Sequence, residues 1–320
     1  MSRPRIAALG GGTGLASLLR GLKEAPVDLT AIVTVADDGG SSGRLRRELG
    51  VLPPGDIRNC LVALADDESL MGRLFQHRFV DGDLSGHPFG NLFLAALAEV
   101  TGSFDLAIQE CSRVLKIRGS VLPSTLAQVR LWAERADGEA VCGETRIAAG
   151  VGACRRVWLD PAPAAHGPTL AAIAEADLLI LGPGSLFTSV LPHLAVAEIA
   201  DAIASARAPR VYVCNVMTQP GETDGFSVGD HLQCVLDAVP GGVDVVVVHE
   251  GALDPDALTA YAAVGQEPVT LDRARIEALG VRVAGADLAE AGSVVRHAPA
   301  ALAGVLLDLA MSVAPAATGT

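Results

Sequence analysis

The sequence predicts an α/β fold: a Rossmann-like, doubly wound, mostly parallel sheet with helices on both faces and a small antiparallel β insertion. Three observations carry this expectation. Short apolar runs of strand length alternate with segments whose apolar residues recur at helical spacing. The strongly β-branched run at 243–248 reads as a strand covered on both faces, as parallel sheets require. Four polar, glycine-rich clusters each follow an apolar run: Gly10–Gly14, then 36–46, 182–189 and 215–223. In an open parallel sheet such loops gather outside the carboxyl ends of the strands, where ligands bind.

In chain order, Ile6 to Leu9 reads as a short buried strand, and Leu15, Leu18, Leu19 and Leu22 form one apolar helix face. Between them stand Gly10, Gly11, Gly12, Thr13 and Gly14. A strand, a glycine turn and a helix start together leave backbone N–H groups pointing outward, which suits phosphate. So many glycines suggest that something approaches the backbone closely. Leu29 to Val35 is a second strand, ended by Asp37 and Asp38. Asp56 reads as an N-cap for a helix with Ile57, Cys60, Leu61 and Leu64 as its buried stripe. Helical patterns follow at about 68–79, 91–100 and 103–115. The alternation of Ala127, Val129, Leu131 and Ala133 before Asp137-Gly138 signals a hairpin within an insertion at about 120–150. The rhythm resumes with strands at Asp177–Leu181 and Arg210–Cys214. Residues 1–311 read as one domain, with 312–320 a flexible tail.

Bulk properties exclude several classes. A formal charge of −13 argues against nucleic acid or an anionic membrane as partner. The six cysteines form no CxxC pair and read as reduced core thiols, and the seven histidines show no zinc-ligand spacing. With no stretch of membrane-spanning length, the expected location is the cytoplasm.

The candidate site residues follow from these clusters. Asp37, Asp38 and Asp56 are hard-cation ligands, and magnesium is commonly held by one or two carboxylates plus substrate phosphates. Asp37 and Asp56 are therefore the metal candidates, and all three acids are the catalytic ones. An acid after the second strand is also where a nicotinamide dinucleotide (NAD) site holds ribose, although Leu15 breaks the G-x-G-x-x-G pattern and no Walker lysine is present. Gly39, Gly40, Ser41, Ser42, Gly182, Gly184 and Ser185 extend the phosphate-binding loops. Arg44 and Arg58 are cationic partners for phosphate, with Asn59 beside them and Arg296 before the last helix. Asn215, Thr218 and Gln219 offer neutral hydrogen bonds that suit a base or sugar, whereas Asn91 reads as a helix cap. Without a visible Ser-His-Asp arrangement, acyl transfer has little support.

The stretches "LGGGTGLASLLRGLK", "TVADDGGSSGRLRRELGVLPPGDIRNCLVAL", "LSGHPFGNLFLAAL", "VLPST" and "LGPGSLFTSVLPHL" resemble the YvcK-type gluconeogenesis factors of the CofD-like (2-phospho-L-lactate transferase-like) superfamily. The likeness runs from about residue 5 to 250 and more weakly to about 310. It implies a Rossmann-like sheet and a cytoplasmic bacterial protein that binds UDP-sugars such as UDP-N-acetylglucosamine, with affinity for dinucleotides such as NAD. It further implies a role in cell shape, cell-wall synthesis and growth on gluconeogenic carbon, with wall-synthesis proteins as partners and a homo-oligomeric assembly. The enzymatic relatives transfer a phospholactyl group to a deazaflavin, and their metal-binding acids match Asp37 or Asp38 and Asp56. The stretch 41–47 and "PPGDIRN" follow the YvcK branch instead, which sets deazaflavin binding in doubt. Three readings result: a nucleotide-sugar-binding regulator, a magnesium-dependent phosphoester transferase, and an NAD-binding oxidoreductase.

Overall fold

The computed structural model describes residues 3–66, 70–239, 242–290, 292 and 294–313. The strands are β1 Arg5–Gly10, β2 Asp28–Val33, β3 Ser120–Pro123, β4 Arg130–Arg135, β5 Ala140–Cys142, β6 Cys154–Asp160, β7 Leu178–Leu181, β8 Arg210–Val213, β9 Val245–His249 and β10 Arg282–Ala286. Seven of them form one parallel sheet in the order β10-β9-β8-β7-β1-β2-β3. Strand β1 is an interior strand between β7 and β2, with Ile6 opposite both Leu29 and Leu178. Its residues Ile6 to Gly10 are all buried, because helices cover both faces.

Helix α1 (Gly12–Leu22) shows how the leucine spacing is used. Leu15, Leu18, Leu19 and Leu22 are completely buried against α3 (Gly55–Leu64) and the C-terminal helix Pro299–Val313. At about 2 kcal/mol for each buried leucine, this stripe seats the helix and so aims its N-terminus at the end of β1. Helix α2 (Gly40–Leu49) follows β2 and ends at Gly50, whose left-handed conformation stops it.

The insertion differs from its expected bounds. Ser120–Pro123 pairs with β2 as the edge of the main sheet, and the antiparallel element is a three-stranded sheet, β5-β4-β6, over 130–160. The hairpin at Asp137-Gly138 is present between β4 and β5, but β6 completes the sheet from beyond residue 150. Alternation identified β4, whereas β3, with a burial pattern as alternating as that of β4, carries no local mark of which sheet it joins. At the C-terminus the last helix continues through Ser312 to Val313, and the remainder of the expected tail, 314–320, lies outside the described residues. Among the described residues no single helix is long and apolar enough to cross a membrane; one bent pair, Leu186–Leu194 with Ala197–Ser205, passes by length and composition only.

Candidate functional site

Connections leave β1 towards β2 and β3, while β7 lies on the other side of β1 and leads away to β8, β9 and β10. The loops after β1 and β7 therefore diverge, and this switch point opens a crevice at the carboxyl ends of the strands. The crevice has a volume of about 400 Å³ and is lined by Gly11–Gly14, Pro183–Ser185 and 215–219, together with Tyr261, Arg296 and Glu144. Three of the four glycine-rich loops thus meet as expected. The fourth, 36–46, adjoins them through its acids.

The glycines of the first loop have separate reasons. Gly12 has φ +61°, and no atom lies near the place a Cβ would take, so it faces open space. A Cβ on Gly14 would stand 2.7 Å from the Pro183 carbonyl oxygen, and one on Gly11 would stand 2.7 Å from an Asp56 carboxylate oxygen. What approaches these two is the protein itself. Helix α1 carries no acid in its own first turn and its N-cap Gly11 offers no side chain; Asp56 takes the Gly12 N–H, and the amides of Thr13 and Gly14 are left to the crevice they line. The Gly10 carbonyl, by contrast, accepts from the buried His193 Nε2 at 2.9 Å. Because a carbonyl only accepts, Nε2 carries the proton, and burial pulls this histidine down to about 4, so it is neutral.

On the β7 and β8 side an amide chain joins two loops. Asn215 Nδ2 donates to Gln219 Oε1 at 3.0 Å, and Gln219 Nε2 donates to Ser185 Oγ at 2.6 Å. This fixes the Gln219 amide and leaves the Asn215 carbonyl oxygen to face a ligand. Thr218 lines the crevice, and its hydroxyl oxygen accepts from Glu267 N–H at 2.9 Å, which fixes it and leaves its O–H to donate.

The acids gather at the foot of α1. Asp56 sits in the first turn of α3, with Pro54 at the N-cap, so it does not cap its own helix as expected. Instead it accepts the Gly12 N–H, across from the glycine loop. Burial first, and Asp37 second, raise it to about 6. Asp37 is raised by burial as well, offset by bonds from Gly39 N–H (2.8 Å) and Ser42. Asp38 accepts from both the amide (3.0 Å) and the hydroxyl (2.9 Å) of Thr145, and so ties the insertion to the end of β2. Two acids were not foreseen. Glu144, at the start of the insertion's helix, is raised well above its usual range by burial and then by Asp37 and Asp56. Its Oε2 is buried without a hydrogen-bond partner. Glu222 is 2% exposed, is held by Thr188 and is raised to about 7 by burial. Neither lies at a recognisable spacing; only the fold brings them in.

Other candidates serve elsewhere. Ser41 is buried, bonded to His87 Nδ1 (2.8 Å) and to Asn91 Nδ2 (3.0 Å). Asn91 therefore lies inside the helix Phe89–Thr101 and pins α2; it is not a cap. Ser42 accepts from Gly55 N–H at 3.0 Å and joins α2 to α3. Arg44, Arg58 and Asn59 do not line the crevice. Gly39 and Gly40 form the turn into α2, and Gly182 and Gly184 frame Pro183 at positive φ.

Among the described residues no three His, Cys, Asp or Glu side chains stand together closely enough to hold a metal ion alone. Asp37 and Asp56, two hard oxygen donors of which the first raises the second, fit a Mg²⁺ shared with ligand phosphates.

Comparison with known proteins adds the following. A family model described as 2-phospho-L-lactate transferase CofD matches residues 6–289. The chain is 48% identical over 311 residues to the "Gluconeogenesis factor" of Bacillus subtilis, covering 96% of this chain and 98% of that one. It is 47% identical over 314 residues to the "Gluconeogenesis factor" of Halalkalibacterium halodurans, covering 96% and 97%. A crystal structure of a UPF0052 family member from Bacillus halodurans superposes with a TM-score of 0.93 at 47% identity, covering 96% of this chain and all of that chain.

Proposed function

The chain belongs to the gluconeogenesis factor family within the CofD-like superfamily, and we propose that it binds a nucleotide-sugar in the crevice between β1 and β7 and acts as a regulatory factor. One observation carries this reading: the amides of Thr13 and Gly14, in the first turn of α1 beyond the Gly12 N–H that Asp56 takes, face a crevice also lined by Arg296 and a fixed amide network. Amides and the helix dipole suit a diphosphate, the guanidinium suits its charge, and the Asn215 oxygen suits a donor on a base such as uracil. Mg²⁺ held by Asp37 and Asp56 would neutralise part of the diphosphate charge. In this reading the occupied crevice changes contacts with cell-wall-synthesis proteins in the cytoplasm, supporting cell shape and central carbon metabolism. Its support is the family membership.

A thermal-shift titration tests the reading. Ligand that binds only the native state must raise the melting temperature. UDP-N-acetylglucosamine at 100 times its Kd gives about 2.7 kcal/mol, a shift of several degrees, and Arg296→Gln weakens binding at least about tenfold. No shift at millimolar ligand would refute it. A second reading, a phosphoester transferase, draws on the raised carboxyl pair Asp37 and Asp56 beside the phosphate loop, an arrangement that suits metal-assisted transfer.

A further inference from the structure

We propose a second anion site, outside the nucleotide-sugar crevice, in which Arg44, Arg58 and Arg78 hold a dianionic phosphate group of a separate ligand. Three segments of the sequence build it: "SSGRLR", "PPGDIRN" and "LSGHPFGN". Arg44 donates to the Ser85 carbonyl at 2.7 Å, and Arg78 donates to the adjacent Gly86 carbonyl at 2.5 Å. The turn at 85–86 therefore holds two guanidiniums side by side, with the buried His87 next to them. Arg58 joins them from α3. It packs where a Cβ on Gly90 would come within 2.9 Å of its Cγ, so the glycine makes its room.

Like charges do not assemble without a reason. Arg58 donates to Asn59 Oδ1 at 2.6 Å, but its Nε is buried with no partner. Burial and the neighbouring Arg78 both act against its charge. None of the three arginines has an Asp or Glu oxygen within 4 Å among the described residues, in a chain of net charge −13. Asp56 acts on Arg58 only from a distance, so three guanidiniums share this corner without a carboxylate in contact, and an anionic ligand would complete it. A monoanionic carboxylate would leave most of the charge unmatched, whereas a phosphate dianion accepts from several guanidiniums at once. Asp56 stands between the two anion sites. On one side it accepts Gly12 N–H, and on the other it lies in the field of Arg58. The second ligand would thus sit across the first turn of α3 from the diphosphate, and the inference does not depend on the nucleotide-sugar reading.

Calorimetric titration of the full chain with inorganic phosphate tests it, with the crevice saturated by UDP-N-acetylglucosamine. One phosphate should still bind. Arg78→Gln, at an exposed position, and Arg58→Gln should each weaken that phosphate at least tenfold, while for Arg78→Gln the affinity for the nucleotide-sugar stays within twofold. Arg296→Gln should do the reverse. Should the nucleotide-sugar fail to bind at all, the same titration on Arg296→Gln protein with and without Arg78→Gln still decides the matter. The proposal is overturned if phosphate does not bind, if UDP-N-acetylglucosamine displaces it, or if Arg78→Gln protein with unchanged circular dichroism binds it as the parent does.

Discussion

At the scale of single residues, glycine has two uses here that look identical in a string of letters. Gly12 turns the chain with φ +61° and has open space where a side chain would stand, whereas Gly14 lets the Pro183 carbonyl pass. The two predict different costs. Gly12→Ala meets no atoms and costs about 1 kcal/mol for its backbone conformation. Gly14→Ala drives a methyl to 2.7 Å from a backbone oxygen that cannot swing aside, costing about 2–3 kcal/mol as overpacking does. Thermal denaturation should therefore rank Gly14→Ala well below Gly12→Ala; equal melting temperatures would contradict the geometry. The glycine density was legible as a close approach, but the partner was not. It is Pro183, some 170 positions away, that Gly14 accommodates. Asp56 read as an N-cap of its own helix; the structure puts it in the first turn instead, where it accepts the amide of another helix.

At the scale of elements, the insertion is the informative case. Its outer face carries Trp132 and Trp158, stacked at 5.9 Å and 11°, with Arg156 over the second ring. These are the only two tryptophans of the chain. Its inner side is bound to the main body. Asp38 grips Thr145, and the buried Arg135 guanidinium donates to the carbonyls of Ile147 (3.0 Å), Gly152 (3.0 Å) and Gly221 (2.9 Å). A buried cation satisfied by carbonyls on both sides of a junction is costly to expose, so the insertion and the sheet should unfold together. Tryptophan fluorescence and far-ultraviolet circular dichroism should give the same denaturant midpoint. An earlier fluorescence transition would mean that the insertion melts alone. The hairpin could be read from alternation and Asp137-Gly138, but its third strand could not, because β6 pairs by register with β4, on the far side of β5 and the short helix in the chain.

At the scale of the whole molecule, an acidic chain buries carboxyl groups where its loops converge, and this sets a pH dependence. Glu222 stands at about 7 in the folded state because of burial, against 4.5 when unperturbed. A raised carboxyl keeps its proton in the folded chain after the unfolded chain has lost it, so stability falls as pH rises from about 4.5 to 7 and then levels. For Glu222, 2% exposed, the loss is on the order of 3 kcal/mol. Chemical denaturation between pH 5 and 8 should show the parent losing stability relative to Glu222→Gln by roughly that amount; parallel curves would rule the assignment out. The sequence by itself determined the alternation of strands and helices and the glycine loops at strand ends, because hydrophobic period and backbone freedom are written within a few neighbouring residues. Only the tertiary structure decided which loops share a crevice, which arginines stand together and which acids are buried. Those depend on the strand order β10-β9-β8-β7-β1-β2-β3, and that order is set by packing between segments far apart along the chain.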